Sequence, residues 1–182
     1  MNNCYLDAEA VIKFFRMTGR KHIFITGSRG SGKSYLVNNM LKRMSDSFNL
    51  LQSHRTDTPQ VVIKSNLAAD NKEFVIGLPR TSGINPASKG NNMTINESGF
   101  INCAIPAIDT HLDTTPEKLF VIDELGYLES SCVPFQKAVE KLLDNSHVLA
   151  VIRKQSTEFL NRICNRRDVL VIDIDKTFET LS

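Results

Sequence analysis

The stretch Gly27-Ser28-Arg29-Gly30-Ser31-Gly32-Lys33-Ser34 fits the pattern GxxxxGK[ST] at every fixed position. The apolar run 22–26 precedes it and predicts a short buried strand, while apolar residues recur at helical spacing over 35–44. A strand, a glycine-rich turn and a helix in this order are typical of a phosphate-binding loop. The sequence therefore predicts an α/β protein that binds a nucleoside triphosphate.

The residue types of this loop suit phosphate binding. Glycine adopts backbone conformations that other residues avoid, and the amide groups of the loop and of the helix N-terminus converge on one anion. We expect Lys33 to reach the β- and γ-phosphates and the Ser34 hydroxyl to bind Mg²⁺. The predicted nucleotide-binding residues are Gly27, Ser28, Arg29, Gly30, Ser31, Gly32, Lys33, Ser34 and Tyr35.

Length and composition indicate one domain. The 182 residues include 22 Lys or Arg and 20 Asp or Glu, and the net charge of +2 gives no indication of a nucleic-acid partner. The first residues lack a secretory signal, and no apolar run is long enough to span a membrane. The Cys and His residues lack metal-ligand spacing, so we expect structural roles for them. We expect a cytoplasmic protein without a membrane partner, whose protein partners the sequence does not identify.

The chain has three stretches of different character. Residues 1–20 contain an amphipathic pattern that predicts a helix packed against the sheet and ending at Gly19. Residues 50–113 are rich in turns, and we interpret them as an antiparallel hairpin insertion. Its β-like runs are 61–64, 74–78 and 100–103, and its turn-rich pieces are 82–86 and 89–92.

The third stretch begins at Leu119 and alternates apolar runs with amphipathic segments. The predicted strands are 119–122, 148–152 and 169–172, and the predicted helices are 133–144 and 156–165. Short apolar strands alternating with helices indicate a mostly parallel sheet covered on both faces. The fold class predicted for 1–182 is therefore a single α/β domain in which a mostly parallel sheet is flanked by helices.

A second motif, Leu119-Phe120-Val121-Ile122-Asp123-Glu124, opens this third stretch. An apolar strand that ends in an acid places the carboxylate at the sheet edge where the phosphate loop also lies. We expect Asp123 to hold Mg²⁺ opposite Ser34 through a coordinated water. Glu124 is placed to accept a proton from a water behind the γ-phosphate, which favours hydrolysis over transfer to an organic acceptor.

Two arginines are candidates for stabilising negative charge in the transition state. Arg153 follows the predicted strand 148–152 at the same sheet edge, and Arg162 shares a helix face with Arg166. The alternative for Arg153 is a solvated or ion-paired side chain. The alternative for Arg162 and Arg166 is a solvated basic face of the helix. Glu129 either orients a basic residue or the attacking water, or caps the next helix.

The residues around Glu124 resemble a known family. This part of the chain is similar to the signature of the small P-loop nucleoside-triphosphatases of the THEP type, also called cancer-related NTPases. The residues that carry the resemblance are Val121-Ile122-Asp123-Glu124-Leu125-Gly126-Tyr127-Leu128-Glu129, then Phe135 and the helix through Ala138, Val139 and Leu142. The resemblance covers about 23–181. It implies a RecA-like fold and Mg²⁺-dependent hydrolysis of ATP, GTP and other nucleoside 5′-triphosphates to diphosphate and phosphate. Members of the family tend to begin near the first strand, which about twenty residues precede here.

Two other functions share the phosphate loop. A nucleotide or small-molecule kinase would use the same loop and Mg²⁺-binding acid, with the basic helix from Ser156 as its lid. A nucleotide-dependent binding module would use triphosphate occupancy to order residues 50–113 for a partner. Measuring phosphate release across a panel of nucleotides distinguishes hydrolysis from both alternatives.

Overall fold

The structure is a computed structural model that describes residues 7–44, 47–68, 72–79 and 93–176. The strands are β1 (His22–Gly27), β2 (Phe48–Arg55), β3 (Val61–Ser65), β4 (Phe74–Pro79), β5 (Met93–Ile95), β6 (Leu119–Leu125), β7 (His147–Arg153) and β8 (Val169–Asp173). The helices are α1 (Ala8–Thr18), α2 (Lys33–Met44), α3 (Glu97–Gly99), α4 (Ile105–Thr114), α5 (Val133–Asn145) and α6 (Glu158–Cys164). Cys4 and the predicted turn-rich pieces 82–86 and 89–92 lie outside the described residues.

All eight strands form one sheet in the order β5-β4-β3-β2-β6-β7-β1-β8. The five strands β2, β6, β7, β1 and β8 run parallel, so their carboxyl ends meet at one edge. In this register Gly27 lies opposite Arg153, and Gln52 lies opposite Asp123. The predicted mostly parallel sheet is confirmed, and its edge brings the phosphate loop close to the acid that ends β6.

The remaining strands form the antiparallel part of the sheet. β3 pairs antiparallel with β2, β4 with β3, and β5 with β4. The predicted boundary of the insertion at residue 50 falls inside β2, which pairs in parallel with β6. β2 therefore joins the two parts of the sheet, with a parallel neighbour on one side and an antiparallel neighbour on the other.

The prediction of a strand at 100–103 is wrong. Phe100–Ala104 is a π-helical segment that connects α3 to α4. Its buried residues continue into α4 at helical spacing, because Phe100, Cys103, Ala107 and Ile108 all face the core. Burial of this helical face outweighs the β-preference of the individual residues.

The core lies on both faces of the sheet. Phe24 of β1 packs with the large cluster beneath α4, α5 and α6, whereas Ile23 and Ile25 pack with α1 and α2. This alternation follows from the two-residue period of a strand, and it explains why the central residues 23–25 of β1 are all apolar. Within the described residues, no helix is long and apolar enough to cross a membrane.

The predicted N-terminal helix is confirmed as α1. Its Val11 and Ile12 are buried in the cluster shared with α2 and β1. The Asp7 side chain accepts hydrogen bonds from the backbone N–H groups of Glu9 and Ala10, and Gly19 ends the helix with φ of 63°. The helix is therefore capped at both ends and anchored on one face.

Candidate active site

A cavity of about 880 Å³ opens at the carboxyl ends of the parallel strands. It is lined by Gly27, Ser28, Arg29, Gly30, Gly32, Lys33, Ser34, Tyr35, Arg55, Glu124, Arg153, Lys154 and Gln155. Eight of the nine predicted nucleotide-binding residues therefore lie in one cavity. The ninth, Ser31, supports the loop from within, because its hydroxyl donates to the carbonyl oxygen of Ser28 at 2.7 Å.

The backbone of the loop accounts for its glycines. Gly30 has φ of 77°, in the left-handed region that a residue with a Cβ rarely adopts. At Gly27 an added Cβ would lie 2.6 Å from Cγ1 of Ile174, so the strand end has no room for a side chain. These two positions let the chain turn sharply between β1 and α2.

The Lys33 ammonium group lies against the loop. Its Nζ donates to the carbonyl oxygens of Gly27 at 2.9 Å and Ser28 at 2.7 Å. Both acceptors are neutral, and hydrogen bonds to charged acceptors are about twice as strong. A phosphate group entering the loop can therefore draw Lys33 away from these carbonyl groups.

Two acidic residues, one at the end of β8 and one just after it, hold the other side of the loop. Ser28 donates its backbone N–H and its hydroxyl to Oδ2 of Asp175, at 2.8 Å and 2.6 Å. Lys154 Nζ lies 2.9 Å from Asp175 and 3.0 Å from Asp173. The bonds from Ser28 and Lys154 lower the pKa of Asp175 to about 2. Sequence analysis did not identify this contact, although β8 ends at the same sheet edge as β1.

Asp123 lies near the end of β6, next to Gln52 of β2. Gln52 Nε2 donates to Asp123 Oδ2 at 3.4 Å. Burial raises the pKa of Asp123, and the bond from Gln52 opposes this increase. A half-buried carboxylate with a long hydrogen bond suits a hard cation that prefers oxygen ligands.

Ser34 and Asp123 both carry oxygen atoms, the type of ligand that Mg²⁺ prefers. Ser34 lines the cavity, whereas Asp123 is not among its lining residues, although the charge of Lys33 opposes the increase in the pKa of the Asp123 carboxyl that burial causes. Throughout 7–44, 47–68, 72–79 and 93–176 there is no group of three or more His, Cys, Asp or Glu that could hold a metal ion. An ion at this edge would take its other ligands from phosphate oxygens and water, as Mg²⁺ usually does at nucleotide sites.

Glu124 and Arg153 contact each other across neighbouring strands. Arg153 Nε donates to Glu124 Oε1, and both side chains line the cavity. The Ser53 hydroxyl lies 3.4 Å from the carbonyl oxygen of Glu124, and the peptide bond between Asp123 and Glu124 is cis. The structure thus brings the predicted base and one of the two predicted arginines together.

Glu129 lies behind this pair and is 5% exposed. Its Oε2 accepts the backbone N–H of Gly126 at 2.9 Å, and Ser53 donates to its Oε1 at 3.4 Å. Burial raises the pKa of Glu129 to about 7, while its backbone hydrogen bonds and the charge of Arg153 act in the opposite direction. These contacts support the turn after β6. The two predicted roles of Glu129, orienting a basic residue or the attacking water and capping the next helix, stay predictions.

Arg162 does not line the cavity. Its Nε lies 2.7 Å from Glu140 Oε1 on α5, and its Nη2 donates to Gln136 at 3.3 Å. Arg166 pairs with Asp144 at 2.9 Å and with Asp168 at 2.8 Å. Both arginines form ion pairs, because α6 directs this face toward α5 and the start of β8. The geometry therefore does not bring Arg162, a predicted catalytic residue, to the cavity.

The structure adds two cations that sequence analysis gave no role. Arg55 at the end of β2 and Lys154 after β7 line the cavity together with Arg29, Lys33 and Arg153. Glu124 is the single acid among the lining residues of this cavity. Glu124 pairs with Arg153, and Asp173 and Asp175 pair with Lys154, so these acids offset part of the charge. The remaining cations create a positive potential that attracts a triphosphate. Recognising β2 as a strand would have placed Arg55 at this edge.

The buried Cys and His residues lie away from this chemistry. Cys103 and Cys132 belong to the core, and burial raises the pKa of Cys103 to about 11. His22 is fully buried at the opposite end of β1, and His111 is fully buried in α4. Their burial agrees with the structural roles predicted from the sequence.

Comparisons with known proteins agree with this geometry. Nucleoside-triphosphatase THEP1 from Thermotoga sp. (strain RQ2) is 26% identical over 156 residues, which cover 85% of this chain and 86% of the relative. The protein of the same name from Thermotoga maritima is 24% identical over 155 residues, with 85% and 86% covered.

Two solved structures share the fold. The crystal structure of THEP1 from Aquifex aeolicus matches with a TM-score of 0.65 and 19% identity, over 88% of this chain and 96% of that one. The solution structure of a human cancer-related nucleoside triphosphatase matches with a TM-score of 0.62 and 19% identity, over 84% and 88%. The model of the NTPase family matches residues 22–178, which include the phosphate loop and every strand. This chain therefore belongs to the NTPase family of the THEP type.

Proposed function

We propose that this NTPase hydrolyses nucleoside 5′-triphosphates to diphosphate and phosphate with the help of Mg²⁺. The observation that carries the proposal is the position of Glu124, whose carboxylate lines the same cavity as Lys33 and Ser34. The family supports hydrolysis of nucleoside triphosphates in general. ATP and GTP are the first substrates to test.

The phosphates bind in the loop. The loop amides and Lys33 hold the β- and γ-phosphates, while Arg29, Arg55 and Lys154 neutralise the remaining charge. Tyr35 extends from the start of α2 and is placed to contact the nucleoside. Mg²⁺ would be held by Ser34 and Asp123, and when bound it neutralises charge on the phosphoryl oxygens.

Glu124 acts as the general base. It accepts a proton from a water molecule that attacks the γ-phosphorus, the bond to the bridging oxygen breaks, and the nucleoside diphosphate leaves. Before this step, Oε1 of Glu124 has to be released from Arg153. The γ-phosphate offers the guanidinium group a more strongly charged partner, so Arg153 moves to the phosphate and leaves Glu124 free.

The test measures free phosphate and nucleoside diphosphate across a nucleotide panel, for the wild type and for Glu124→Gln. Glu117→Gln is the matched control, because Glu117 is an exposed acid that does not line the cavity. We expect equal amounts of the two products, a loss of activity on chelation of Mg²⁺, and a rate at least about 100-fold lower for Glu124→Gln only. Equal rates for Glu124→Gln and the wild type would refute hydrolysis at this site. Diphosphate without free phosphate would indicate a kinase.

A further inference from the structure

The net charge of +2 conceals a separation of charge along the chain. Residues 7–44 contain eight Lys or Arg and two acidic residues, whereas the rest of the chain contains more acidic than basic residues. Arg29 and Lys33 belong to the phosphate loop. Lys13, Arg16 and Lys42 do not, and in the described residues none of these three forms an ion pair.

A basic surface lies between α1 and α2. A groove of about 660 Å³ separates the two helices and is lined by Glu9, Ile12, Lys13, Arg16, Met17 and Arg43. Arg43 donates to the carbonyl oxygen of Asn39 and forms no ion pair within the part of the chain that the structure describes. We name the α1–α2 face by its residues Lys13, Phe14, Arg16, Met17 and Arg43.

Two large apolar side chains lie beside these cations on α1. Met17 lines the groove with them, whereas Phe14, one turn before Met17, is not among the lining residues. Phe14 is 44% exposed and Met17 is 76% exposed. They are three residues apart on α1, so both project from the same side of the helix. Val11 and Ile12 already anchor α1 to the core, and packing therefore does not require Phe14 or Met17. Apolar side chains exposed as a group usually mark a contact surface.

The α1–α2 face is separate from the catalytic cavity. Lys33 opens α2 and Arg43 lies in its last turn. Ten residues of helix place these two positions about 15 Å apart along the axis. The family match begins at residue 22, so α1 lies outside the part of the chain that carries the shared NTPase fold.

We propose that the α1–α2 face docks on a bilayer surface that contains anionic phospholipids. Lys13, Arg16 and Arg43 pair with lipid phosphates, while Phe14 and Met17 insert between the head groups and the acyl chains. Docking in this orientation leaves the cavity at the other end of α2 open to nucleotide in solution.

The mixed character of the face favours a bilayer over other anionic partners. A nucleic-acid backbone would meet the cations but would offer nothing apolar to Phe14 and Met17. A lipid surface provides both anions and an apolar layer within the thickness of one helix. Glu9 is the acidic residue in the groove, and it lies two helical turns before Met17. Contact is therefore made by the C-terminal half of α1.

Fluorescence offers a direct test, because the chain contains no Trp. Phe14→Trp creates a single reporter at the proposed point of insertion. Val133→Trp is its control, since Val133 is 56% exposed on α5. With vesicles of phosphatidylcholine and phosphatidylserine, the emission of Phe14→Trp should shift to the blue and that of Val133→Trp should not. The shift should be absent with phosphatidylcholine alone and should reverse in high salt.

A charge-matched pair of variants tests the role of the cations by vesicle co-sedimentation. The first combines Lys13→Glu, Arg16→Glu and Arg43→Glu. The control changes three exposed cations elsewhere and combines Lys72→Glu, Lys137→Glu and Arg167→Glu. Each basic residue near an anionic surface changes binding about fivefold, so the first variant should bind at least about 100-fold more weakly than the control. The unchanged NTPase rate of both variants would show that they fold.

Three results would overturn the proposal. The first is no binding to anionic vesicles at low salt. The second is equal weakening of vesicle binding by both triple variants. The third is binding to a labelled oligonucleotide but not to vesicles, which would assign the face to nucleic acid instead.

Discussion

Arg153 donates its Nε–H to Oε1 of Glu124, and the two residues lie on the neighbouring strands β7 and β6. The side chain of Glu124 is 26% exposed and that of Arg153 is 49% exposed, so both remain open to the cavity. An ion pair in this position joins the proposed base to the proposed transition-state arginine. Nucleotide binding and release of the base are therefore coupled in the proposed mechanism.

Replacing Arg153 should impair catalysis far more than replacing Arg162. We expect Arg153→Ala to lower kcat by about 100-fold or more, because an arginine that stabilises phosphoryl transfer is worth at least that much. Arg162→Ala should stay within about twofold of the wild type, since Arg162 pairs with Glu140 outside the cavity. Steady-state phosphate release measures both rates. Equal effects of the two substitutions would contradict the assignment of Arg153.

Asp123→Asn should weaken the response to Mg²⁺. The asparagine amide keeps the shape of the carboxyl group and one of its oxygen atoms, but it loses the negative charge that favours binding of a divalent ion. We expect the Mg²⁺ concentration that gives half-maximal activity to rise about tenfold or more. A Mg²⁺ titration of phosphate release measures this shift, and Asp113→Asn, on the exposed end of α4, is the control. An unchanged titration in Asp123→Asn would remove Asp123 from the metal site.

Glu129→Gln should stabilise the protein in a pH-dependent way. The folded-state pKa of Glu129 is raised from 4.5 to about 7, so folding favours the protonated form. The protonated carboxyl therefore contributes its full share to the free energy of unfolding below pH 4.5. This contribution is lost as the pH rises through 7 and Glu129 ionises in the folded protein. At pH 8 Glu129→Gln should therefore exceed the wild type by up to about 3 kcal/mol, from 1.36 kcal/mol for each pKa unit, with little gain at pH 4.5.

Urea unfolding at pH 4.5 and pH 8 measures this difference. Glu129→Ala serves as the contrasting variant, because it leaves the N–H of Gly126 without its acceptor and should destabilise at both values. A gain for Glu129→Gln at pH 4.5 that equals or exceeds the gain at pH 8 would show that folding does not raise the pKa of Glu129.

His22→Asn should reduce the decrease in the free energy of unfolding that occurs as the pH falls. Burial lowers the pKa of His22 from 6.5 to about 4, with Asp168 acting in the opposite direction. The folded state therefore binds fewer protons than the unfolded state, and stability falls by roughly 3 kcal/mol as the pH drops from 6.5 to 4. Asparagine can still accept the backbone N–H of Val148, which His22 Nδ1 accepts at 3.2 Å.

Thermal unfolding between pH 7 and pH 4 tests this prediction. The exposed His147 provides the control substitution, His147→Asn, which should leave the slope unchanged. Some slope should persist in His22→Asn, because burial also lowers the pKa of His111. If the slope of Tm against pH is the same in His22→Asn and in the wild type, His22 does not contribute to the loss of stability in acid.

Sequence patterns predicted the elements that are defined locally. The phosphate loop and the acid pair Asp123-Glu124 are short and contiguous, and their strand and helix neighbours have clear periodicity. The strand β2 was missed because its outer half, from Gln52 to Arg55, is polar and looks like a loop. Its pairing with β6, which is distant in sequence, and with the next strand, β3, makes it a strand. Gln52, Ser53 and Arg55 were therefore absent from the predicted site.

The sequence by itself determined the phosphate loop, the acids at the end of β6, and the resemblance to the THEP-type NTPases, because each depends on adjacent residues. Only the tertiary structure decided which arginine reaches the cavity. Arg153 lies there because β7 pairs with β1 in a register that sets it opposite Gly27. Arg162 does not, because packing of α6 turns its side chain toward Glu140. Strand register and helix orientation depend on contacts between residues that are far apart in the chain, and no local pattern encodes them.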